Sequence, residues 1–440
     1  VGYVGNLNDD SLQEILSLQD LSPKETIFKY SNGFLSGKTG IENVYDQELR
    51  GFFGKKTYEV DASGRLLKEI DTIPAIDGKD IHTSLDLKSQ KVAFRELKNR
   101  RGSDVAVDIS DGAIVTYLSS PSFSVNKIAN GLSQNDFNEL IEDKNKPFFD
   151  RAAQGRYSPA STIKPAIGLF GLENNIIDWD FTIDDPGYFE LPEDGRIYRG
   201  WKKGGHGKIN LQDAIIESSN TFFFSLAYKS EIEELIKHLS YFGFGRNVCL
   251  DCFLPDNGLL PNPAWKMNTL NFGWFKGDTV NLGVGQGYMS ATPLQLAYYS
   301  AFIANKGALN KFSFVQDDKT LPKDVFYSGN IDDKDWEKIH KSMIGVIEQP
   351  KGTAGRLREL KDYIIAAKSG TVELVSTDTK EDYKIIREEE AKRDHAIIVA
   401  FGPMPNPKYA VSVVIENGES GGSVAGPVAI EVLNSLLDYE

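Results

Sequence analysis

Residues 105–123, VAVDISDGAIVTYLSSPSF, contain two apolar runs on either side of Ser110-Asp111-Gly112. A short polar turn with glycine between two apolar runs predicts a β-hairpin, so an antiparallel sheet begins here. Extended apolar segments return near the end of the chain, where they predict three more strands: YIIAAKSGTVEL (363–374), HAIIVAFG (395–402) and YAVSVVIEN (409–417). The sheet is therefore expected to draw strands from both ends of one domain.

The residues between these strands have helical periodicity from about Phe148 to Ser300, and a last helix is expected at 426–439. This order predicts an α+β fold, in which helices flank an antiparallel sheet and a helical insertion interrupts it. The first 78 residues are mixed, with a helical stretch near 11–18 and an extended one at 56–70, and predict a small supporting domain. A change of character at Gly78-Lys79 divides the chain into domains 1–78 and 79–440.

The composition excludes several classes of protein. Of 440 residues, 40% are hydrophobic and 25% are charged, which is the profile of a folded chain. The 49 basic and 63 acidic residues give a net charge of −14 without a compensating basic cluster, so nucleic acid is not expected as a partner. Five histidines and two cysteines are too few for a rich metal centre, and we expect no metal or other cofactor.

The ends of the sequence indicate that it belongs to something longer. No window reaches the ~18 consecutive apolar residues that span a bilayer, and the first residues, VGYVGNLNDD, do not resemble a signal peptide. They also lack an initiator methionine. We therefore expect the chain to be a piece of a longer protein whose membrane segment lies elsewhere.

Three short motifs carry the chemistry that the sequence suggests. They are Ser161-Thr162-Ile163-Lys164 in RYSPASTIKPAIG, Ser218-Ser219-Asn220 in AIIESSNTFFF and Lys368-Ser369-Gly370-Thr371 in IIAAKSGTVEL. Motifs of this kind occur together in penicillin-recognising enzymes. Their separations, 218 − 161 = 57 and 368 − 220 = 148 residues, place two motifs in the helical insertion and the third in the returning sheet. A cleft between insertion and sheet would bring the three together.

The first motif predicts an activated serine. Ser161 follows Pro159-Ala160 and precedes an apolar run, which indicates a helix N-terminus, where free N–H groups stabilise a developing oxyanion. Lys164 lies three residues further on the same face. When partly desolvated beside the serine, it can lose its proton near neutral pH and act as the base. Pro165 would lie one turn into this helix and predicts an irregular first turn.

The other two motifs complement the first. Ser218-Ser219-Asn220 separates the amphipathic runs LQDAIIE and TFFFSLAY, so it predicts a tight connection between two helices, where a hydroxyl and an amide can relay a proton and hold a carbonyl. Lys368 to Thr371 lie on an apolar extended segment, where Gly370 leaves room for a substrate backbone and the ammonium and hydroxyl groups fix a carboxylate. An edge strand that pairs with an extended peptide is the expected geometry.

Further copies of these patterns are interpreted as structural. Ser124-Val125-Asn126-Lys127 follows a strand and is predicted to form a turn, as is Lys38-Thr39-Gly40, which precedes a polar helical stretch. The glycines of Gly283-Val284-Gly285-Gln286-Gly287 lack the spacing of a phosphate-binding loop, so this segment is expected to pack the insertion.

Three other features have simple structural explanations. Cys249-Leu250-Asp251-Cys252 has no second pair for zinc, and a local disulfide and reduced thiols remain open. His206, with Asp184 and Asp185 upstream, lacks further ligands for a convincing metal site. The mixed-charge stretch 379–395 is predicted to be a solvated loop or a short exposed helix.

With these motifs, the chain resembles the transpeptidase region of class B penicillin-binding proteins, and within them the elongation-type penicillin-binding protein 2 subfamily. The resemblance covers nearly the whole sequence. It implies a penicillin-binding-protein/β-lactamase-like transpeptidase domain at 79–440, with a remnant of the pedestal or dimerisation domain at 1–78. Five further segments support it: VGYVG (1–5), GIENVYDQELRG (40–51), NKPFFDRAAQGRYSPASTIKP (145–165), YRGWKKGGHGKINLQDAI (198–215) and LGVGQGYMSATPLQLA (282–297).

The resemblance implies a role for each motif residue. Ser161 would be the acylated nucleophile and Lys164 its base, while Ser218 and Asn220 would assist proton transfer and hold the substrate. The backbone N–H groups of Ser161 and Thr371 would form the oxyanion hole. The terminal carboxylate and peptide would be bound by the strand motif: Lys368, Ser369, Gly370 and Thr371.

Two positions depart from the common pattern of the family. Ala160 replaces the usual glycine before the nucleophile, and Ser369 replaces the common threonine after the strand lysine. Both keep the required chemistry, so the departures bear on the expected rates and drug affinity rather than on the expected function.

The implied function is a peptidoglycan D,D-transpeptidase that cross-links stem peptides during lateral wall elongation and is acylated by β-lactams. A D,D-carboxypeptidase or β-lactamase shares the three motifs, although such hydrolases have no need of the N-terminal segment. A non-catalytic scaffold or β-lactam sensor would have no need of the intact Ser161 and Lys164 pair.

The resemblance also implies partners and a location. The substrates would be stem peptides and the lipid-linked precursor. Protein partners would be a RodA-type glycan polymerase and the scaffold MreC, which meets the pedestal. The full-length protein would be anchored in the bacterial inner membrane, with its catalytic domain in the periplasm.

Overall fold

The N-terminal part of the chain consists of short elements. The computed structural model describes residues 1–7, 35–52, 54–98, 100–315, 329, 331–374 and 387–438, so the helix expected near 11–18 lies outside the described residues. The N-terminal elements are a strand pair, two short helices and a hairpin: β1 (Val4–Asn6), β2 (Leu35–Gly37), α1 (Gly40–Val44), α2 (Asp46–Arg50), β3 (Lys55–Val60) and β4 (Leu66–Ile73).

The rest of the chain alternates between strands and helices. The remaining strands are β5 (Gly102–Asp108), β6 (Ile114–Ser120), β7 (Thr182–Asp185), β8 (Tyr188–Glu190), β9 (Ile197–Arg199), β10 (Gly207–Asn210), β11 (Ala366–Val372), β12 (His395–Gly402) and β13 (Tyr409–Ile415). The remaining helices are α3 (Leu87–Leu97), α4 (Val125–Ala129), α5 (Gln134–Glu142), α6 (Arg151–Gln154), α7 (Lys164–Glu173), α8 (Leu211–Ile216), α9 (Asn220–Tyr228), α10 (Ile232–Tyr241), α11 (Pro263–Leu270), α12 (Lys276–Leu282), α13 (Pro293–Ala304), α14 (Asp333–Glu348) and α15 (Gly426–Leu437).

One five-stranded antiparallel sheet organises the larger part of the chain, in the order β11-β12-β13-β5-β6. The predicted hairpin is confirmed as β5 and β6, whose turn is held by a hydrogen bond of 2.9 Å from Ala113 N to Asp111 Oδ1. Gly112 adopts φ = +84° there, which favours glycine. The C-terminal segment supplies the other three strands, so the predicted α+β plan with a helical insertion is confirmed.

Helices cover both faces of this sheet. On one face, Ser412 Oγ donates a hydrogen bond of 2.6 Å to the Pro293 carbonyl at the start of α13. On the other face, Thr116 Oγ1 donates one of 2.6 Å to Ser89 Oγ of α3, against which α15 also packs. Ser412 lies in one register row with Val399 and Lys368. Because residues of one row project to one face, Lys368 points toward the helical insertion.

A buried carboxylate connects the N-terminal elements to the rest of the chain. Asp251 Oδ2 accepts hydrogen bonds from Tyr45 Oη at 2.9 Å and from Ser313 Oγ at 2.8 Å. The loop that carries Asp251 is closed by a disulfide between Cys249 and Cys252, so the structure contains the oxidised form of the two states that the sequence left open. This loop is a structural element that fixes the position of Asp251.

The mixed-charge stretch 379–395 is described only from residue 387 onward. Residues 387–392 are exposed there and include a 3₁₀ turn at Glu390–Lys392, which agrees with the predicted solvated loop. Residues 379–386 lie outside the described residues. Within the described ranges, no helix is long and apolar enough to cross a membrane.

Candidate active site

The predicted nucleophile lies in an irregular helical turn. Ser161 belongs to a 3₁₀ turn, Ala160–Ile163, and the α-helix α7 begins only at Lys164. Pro165 therefore falls in the first turn of α7, where a missing N–H costs no helix hydrogen bond. Ala160 has φ = +48° and donates a hydrogen bond of 2.9 Å to the Gly285 carbonyl. The irregular first turn predicted from Pro165 is confirmed.

Lys164 is fully buried behind this turn. Its Nζ donates to Ser218 O at 2.8 Å, to Ser218 Oγ at 3.2 Å and to Asn220 Oδ1 at 2.7 Å. These three acceptors use all three protons of a charged ammonium. Burial, reinforced by repulsion from Lys368, holds the pKa of Lys164 well below its ordinary value, although Asp185 acts in the opposite direction. The neutral amine, which has a free lone pair, is therefore more accessible at Lys164 than at an ordinary lysine.

The second motif forms the predicted tight connection between helices α8 and α9. Ser218 has φ = +58°, a conformation that non-glycine residues adopt at a cost of about 1–3 kcal/mol and that is typical of functional turns. The turn is held on both sides. Ser219 Oγ accepts a hydrogen bond from Phe222 N at 3.2 Å, and Trp201 Nε1 donates one of 3.1 Å to the Ser218 carbonyl.

Lys368 approaches the same turn from the sheet. It is fully buried, and its Nζ donates to Ser218 Oγ at 3.0 Å and to Ser369 O at 3.0 Å. Burial lowers the pKa of Lys368 to about 7. Ser218 Oγ thus accepts hydrogen bonds from both buried lysines, and a proton can pass between Lys164 and Lys368 through this hydroxyl.

The burial of Lys368 carries a stability prediction. We expect Lys368→Met to raise the free energy of unfolding at pH 7 by about 1–4 kcal/mol. The methionine side chain is apolar, so its burial does not carry the desolvation cost of a buried ammonium group. The lysine pKa is about 7 in the folded chain, against an ordinary value of 10.5. Unfolding therefore takes up a proton between these pH values, and the advantage of the variant is largest at pH 7 and below and disappears toward pH 10.5. Chemical denaturation at pH 6, 7 and 10 measures this change.

Lys266→Met is the matched control for this prediction. Lys266 is also buried, but it is paired with Asp278, so its removal leaves a carboxylate without its ion-pair partner and should destabilise the chain. Equal destabilisation by both substitutions would contradict the inferred desolvation of Lys368.

The third motif lies on the edge strand β11, as predicted. A Cβ added to Gly370 would lie 3.0 Å from Thr162 Cγ2 and 3.2 Å from the Pro159 carbonyl. The glycine therefore favours the close packing of β11 against the nucleophile turn, a reason that the sequence did not reveal. Thr371 is half-buried, and Ser369 Oγ lies 2.8 Å from Thr353 Oγ1.

Sequence reasoning missed a buried network behind Ser218. Asp185 Oδ2 lies 2.6 Å from His206 Nδ1 and accepts a hydrogen bond of 2.7 Å from Ser219 Oγ. Burial alone would raise the pKa of Asp185, but the hydrogen bonds from His206, Ser219 and Gly187 N outweigh it and lower the pKa. The carboxylate therefore stays ionised, fixes the turn and supports a proton on Lys164. His206 and Ser219 lie 21 and 34 positions after Asp185. The sequence grouped His206 with Asp185 only as a weak metal candidate and did not connect either residue with Ser219.

The repeated patterns have structural roles. Ser124 accepts a hydrogen bond from Lys127 N at 3.4 Å and caps α4, so the predicted simple turn is corrected to a helix cap. Thr39 occupies the N-cap position of α1, between β2 and that helix. A Cβ on Gly285 would lie within 3 Å of Ala160, and the Gly283–Gly287 segment thus packs directly behind the nucleophile turn.

Comparison with known proteins agrees with this arrangement. The model of the penicillin-binding protein transpeptidase domain matches residues 102–434, and that of the penicillin-binding protein dimerisation domain matches residues 1–83. The chain therefore belongs to the penicillin-binding protein transpeptidase family, and the resemblance inferred from its motifs is confirmed.

The similar proteins of known name within this family include MrdA and PBP2 proteins. The peptidoglycan D,D-transpeptidase MrdA of Acinetobacter baumannii is 38% identical over 446 residues, which cover 100% of this chain and 64% of that protein. The crystal structure of Pseudomonas aeruginosa PBP2 in complex with WCK 5153 matches 99% of this chain and 88% of that one, with TM-score 0.82 and 35% identity. PBP2 in the Helicobacter pylori complex with MreC matches 100% of this chain and 76% of that one, with TM-score 0.86 and 31% identity.

Proposed function

We propose that this chain is a serine-type peptidoglycan D,D-transpeptidase that is acylated and inhibited by β-lactams. The observation that carries the proposal is the convergence of two fully buried lysines, Lys164 and Lys368, on one hydroxyl, Ser218 Oγ, beside the turn of Ser161. Burying two neighbouring amines is costly whenever both are charged, which lowers the pKa of each. An arrangement that lowers the stability of the fold but brings two titratable amines to one hydroxyl indicates a role in proton transfer.

The proposed first half-reaction forms an acyl-enzyme. Neutral Lys164 takes the proton of Ser161, whose Oγ attacks the carbonyl carbon of the penultimate D-Ala. The backbone N–H groups of Ser161 and Thr371 hold the tetrahedral oxyanion. The C–N bond then breaks, and the leaving D-Ala amine takes a proton that reaches it through Ser218. The products are an ester on Ser161 and free D-Ala.

The second half-reaction transfers the acyl group. The amine of a neighbouring stem peptide gives up its proton through the same groups and attacks the ester carbonyl, which restores Ser161 and leaves a new amide cross-link. Asn220 holds a peptide carbonyl of the donor stem. The terminal carboxylate of the donor is bound by the strand motif: Lys368, Ser369, Gly370 and Thr371.

We also propose that the chain contains two domains and that its catalytic domain lies outside the cytoplasmic membrane. Residues 1–78 would form the remnant of the pedestal domain and residues 79–440 the transpeptidase domain. The catalytic domain would act in the periplasm, with the full-length protein anchored in the inner membrane. A disulfide between Cys249 and Cys252 supports an oxidising compartment.

Stem peptides, the lipid-linked precursor, a RodA-type glycan polymerase and MreC are the proposed partners. The hairpin formed by β3 and β4 supports a protein partner, because its apolar side chains are exposed to an unusual degree. These side chains are Tyr58, Val60, Leu66, Leu67, Ile70 and Ile73. An MreC-type protein is the partner that we assign to this hairpin.

A charge on the hairpin should weaken that interaction. We expect Ile70→Asp to reduce the affinity for the MreC-type protein of the same organism at least about tenfold, because it removes an apolar anchor and buries an unpaired charge, and loss of a hot-spot residue alone costs about 2 kcal/mol. The rate of acylation by benzylpenicillin should not change. Titration calorimetry measures the affinity, and Lys68→Ala on the same strand is the control. Equal affinities for Ile70→Asp and the parent chain would exclude this surface.

The enzymatic proposal is tested by the release of D-Ala. A synthetic stem peptide that ends in D-Ala-D-Ala should lose one D-Ala with the parent chain. Release that persists after Ser161→Ala would refute the assigned nucleophile.

A further inference from the structure

A short segment outside the three motifs contacts the third motif and the residues just before the second. Residues 349–354, QPKGTA, follow helix α14 and lie between the second and third motifs in the sequence. Thr353 N donates a hydrogen bond of 3.4 Å to the Ile216 carbonyl, two residues before Ser218. Thr353 Oγ1 lies 2.8 Å from Ser369 Oγ on strand β11. Thr353 thus bridges the helical insertion and the sheet.

The position of Thr353 is fixed from several sides. Ala354 N donates a hydrogen bond of 3.0 Å to the Val346 carbonyl of α14. A Cβ added to Gly422 would lie 2.6 Å from the Thr353 carbonyl, so the π-helical segment 421–425 closes over this residue. Lys351 Nζ also forms an ion pair of 3.2 Å with Glu217. The Thr353 hydroxyl is therefore presented to Ser369 from a rigid support.

Ser369 needs such a support. Serine lacks the branched Cβ that restricts χ1 in threonine, so its hydroxyl can occupy three rotamers. Lys368 Nζ holds the Ser369 carbonyl at 3.0 Å but does not fix the hydroxyl. This chain has Ser369 where threonine is common in the family. The hydrogen bond with Thr353 therefore restricts the χ1 rotamer of Ser369, as the branched Cβ would restrict that of a threonine.

The direction of the hydrogen bond determines what Ser369 can do. A carboxylate only accepts hydrogen bonds, so Ser369 must donate its single proton to a bound carboxylate. Its oxygen is then free to accept, and Thr353 Oγ1–H supplies the donor. Hydrogen bonds in such a chain strengthen one another. The Thr353 hydroxyl thus donates a hydrogen bond to Ser369, and the Ser369 hydroxyl donates one to the substrate carboxylate.

We infer that Thr353 is a positioning residue that sets the specificity for a substrate carboxylate through Ser369. The inference rests on the proposed function, since it assigns Ser369 to the carboxylate of the donor peptide. Thr353 itself touches no reacting atom. Its effect should appear only with ligands that carry the carboxylate.

The test compares two probes on one set of variants. Benzylpenicillin carries the carboxylate, and its methyl ester has lost it. For Thr353→Val, which has a similar shape but no hydroxyl, we expect the second-order acylation rate constant for the acid to fall about 5- to 20-fold. The rate constant for the ester should stay within about twofold of the parent value, and Thr353→Ser should restore acylation by the acid. Intact-protein mass spectrometry at timed intervals gives both constants.

Each outcome has a separate meaning. A loss confined to the acid, with rescue by serine, supports the inference. An equal loss for acid and ester would assign a general structural role to Thr353 and overturn the inference, as would an unchanged acid rate in Thr353→Val. Absence of adducts with the parent chain would instead refute the proposed function, and a normal thermal transition of the parent chain excludes misfolding as its cause.

Discussion

Ser161→Ala is expected to abolish the covalent adduct with benzylpenicillin completely. The acyl group of a β-lactam can be retained only as an ester on the attacking oxygen, and alanine has none. Intact-protein mass spectrometry should show a single stable adduct on the parent chain and only the free mass for the variant. Ser161 lies in the turn that α7 and Gly285 hold in place, so removal of one oxygen should leave the fold unchanged.

The chain provides its own control for this experiment. Ser124 begins a second Ser-x-x-Lys pattern, but it is exposed and caps helix α4. Ser124→Ala should therefore keep the full adduct. An adduct on Ser161→Ala, or its loss in Ser124→Ala, would show that the nucleophile lies elsewhere.

Lys164→Met should lower the acylation rate about 10²- to 10⁴-fold, which is the usual contribution of a positioned general base. Methionine fills similar space but cannot accept the proton of Ser161. Lys127→Met, the exposed lysine of the second Ser-x-x-Lys pattern, should leave the rate unchanged. Stopped-flow measurement with a chromogenic cephalosporin gives the rate for each variant. A fall of less than tenfold in Lys164→Met would assign the base to another group.

The pH dependence of acylation should reflect both buried lysines. Burial lowers the pKa of Lys164, and the base is active when neutral, so the rate should rise with pH through that lowered pKa. The pKa of Lys368 is lowered to about 7, and its charge attracts the carboxylate, so the rate should fall again above pH 7. Lys164→Met should remove the rising limb. A rate that keeps rising to pH 10 would contradict the assigned role of Lys368.

Local patterns were sufficient to predict the elements that carry the motifs. The polar turn at Ser110-Asp111-Gly112 predicted the hairpin of β5 and β6, and two amphipathic runs predicted the connection between α8 and α9. Pro165 predicted an irregular turn, but not its form. The structure resolves the conflict by starting the α-helix at Lys164, after a 3₁₀ turn, and by giving Ala160 a positive φ.

Local sequence patterns could not predict the contacts between the motifs, because these contacts join residues that are far apart in the sequence. Lys164 and Ser218 are 54 residues apart in sequence, and Lys368 and Ser218 are 150 apart. The sequence predicted a cleft, but the sharing of one hydroxyl by two lysines depends on how the insertion packs on the sheet. The contact of Asp185 with Ser219 and the role of Thr353 were missed for the same reason, because an isolated Asp at a strand end or an isolated Thr in a turn has no local signature of such a contact. Ser124 was predicted as a turn because a five-residue helix such as α4 has too little periodicity to detect.

Transfer of an acyl group from Ser161 to a second stem peptide distinguishes a transpeptidase from a hydrolase. The most direct measurement incubates the chain with a stem peptide ending in D-Ala-D-Ala and a second stem that offers a free amine, and quantifies the products by mass spectrometry. We expect a cross-linked dimer that increases with the concentration of the acceptor, is absent in Ser161→Ala and is blocked by benzylpenicillin. Release of D-Ala with only the hydrolysed stem, at every acceptor concentration, would contradict this expectation and identify a D,D-carboxypeptidase.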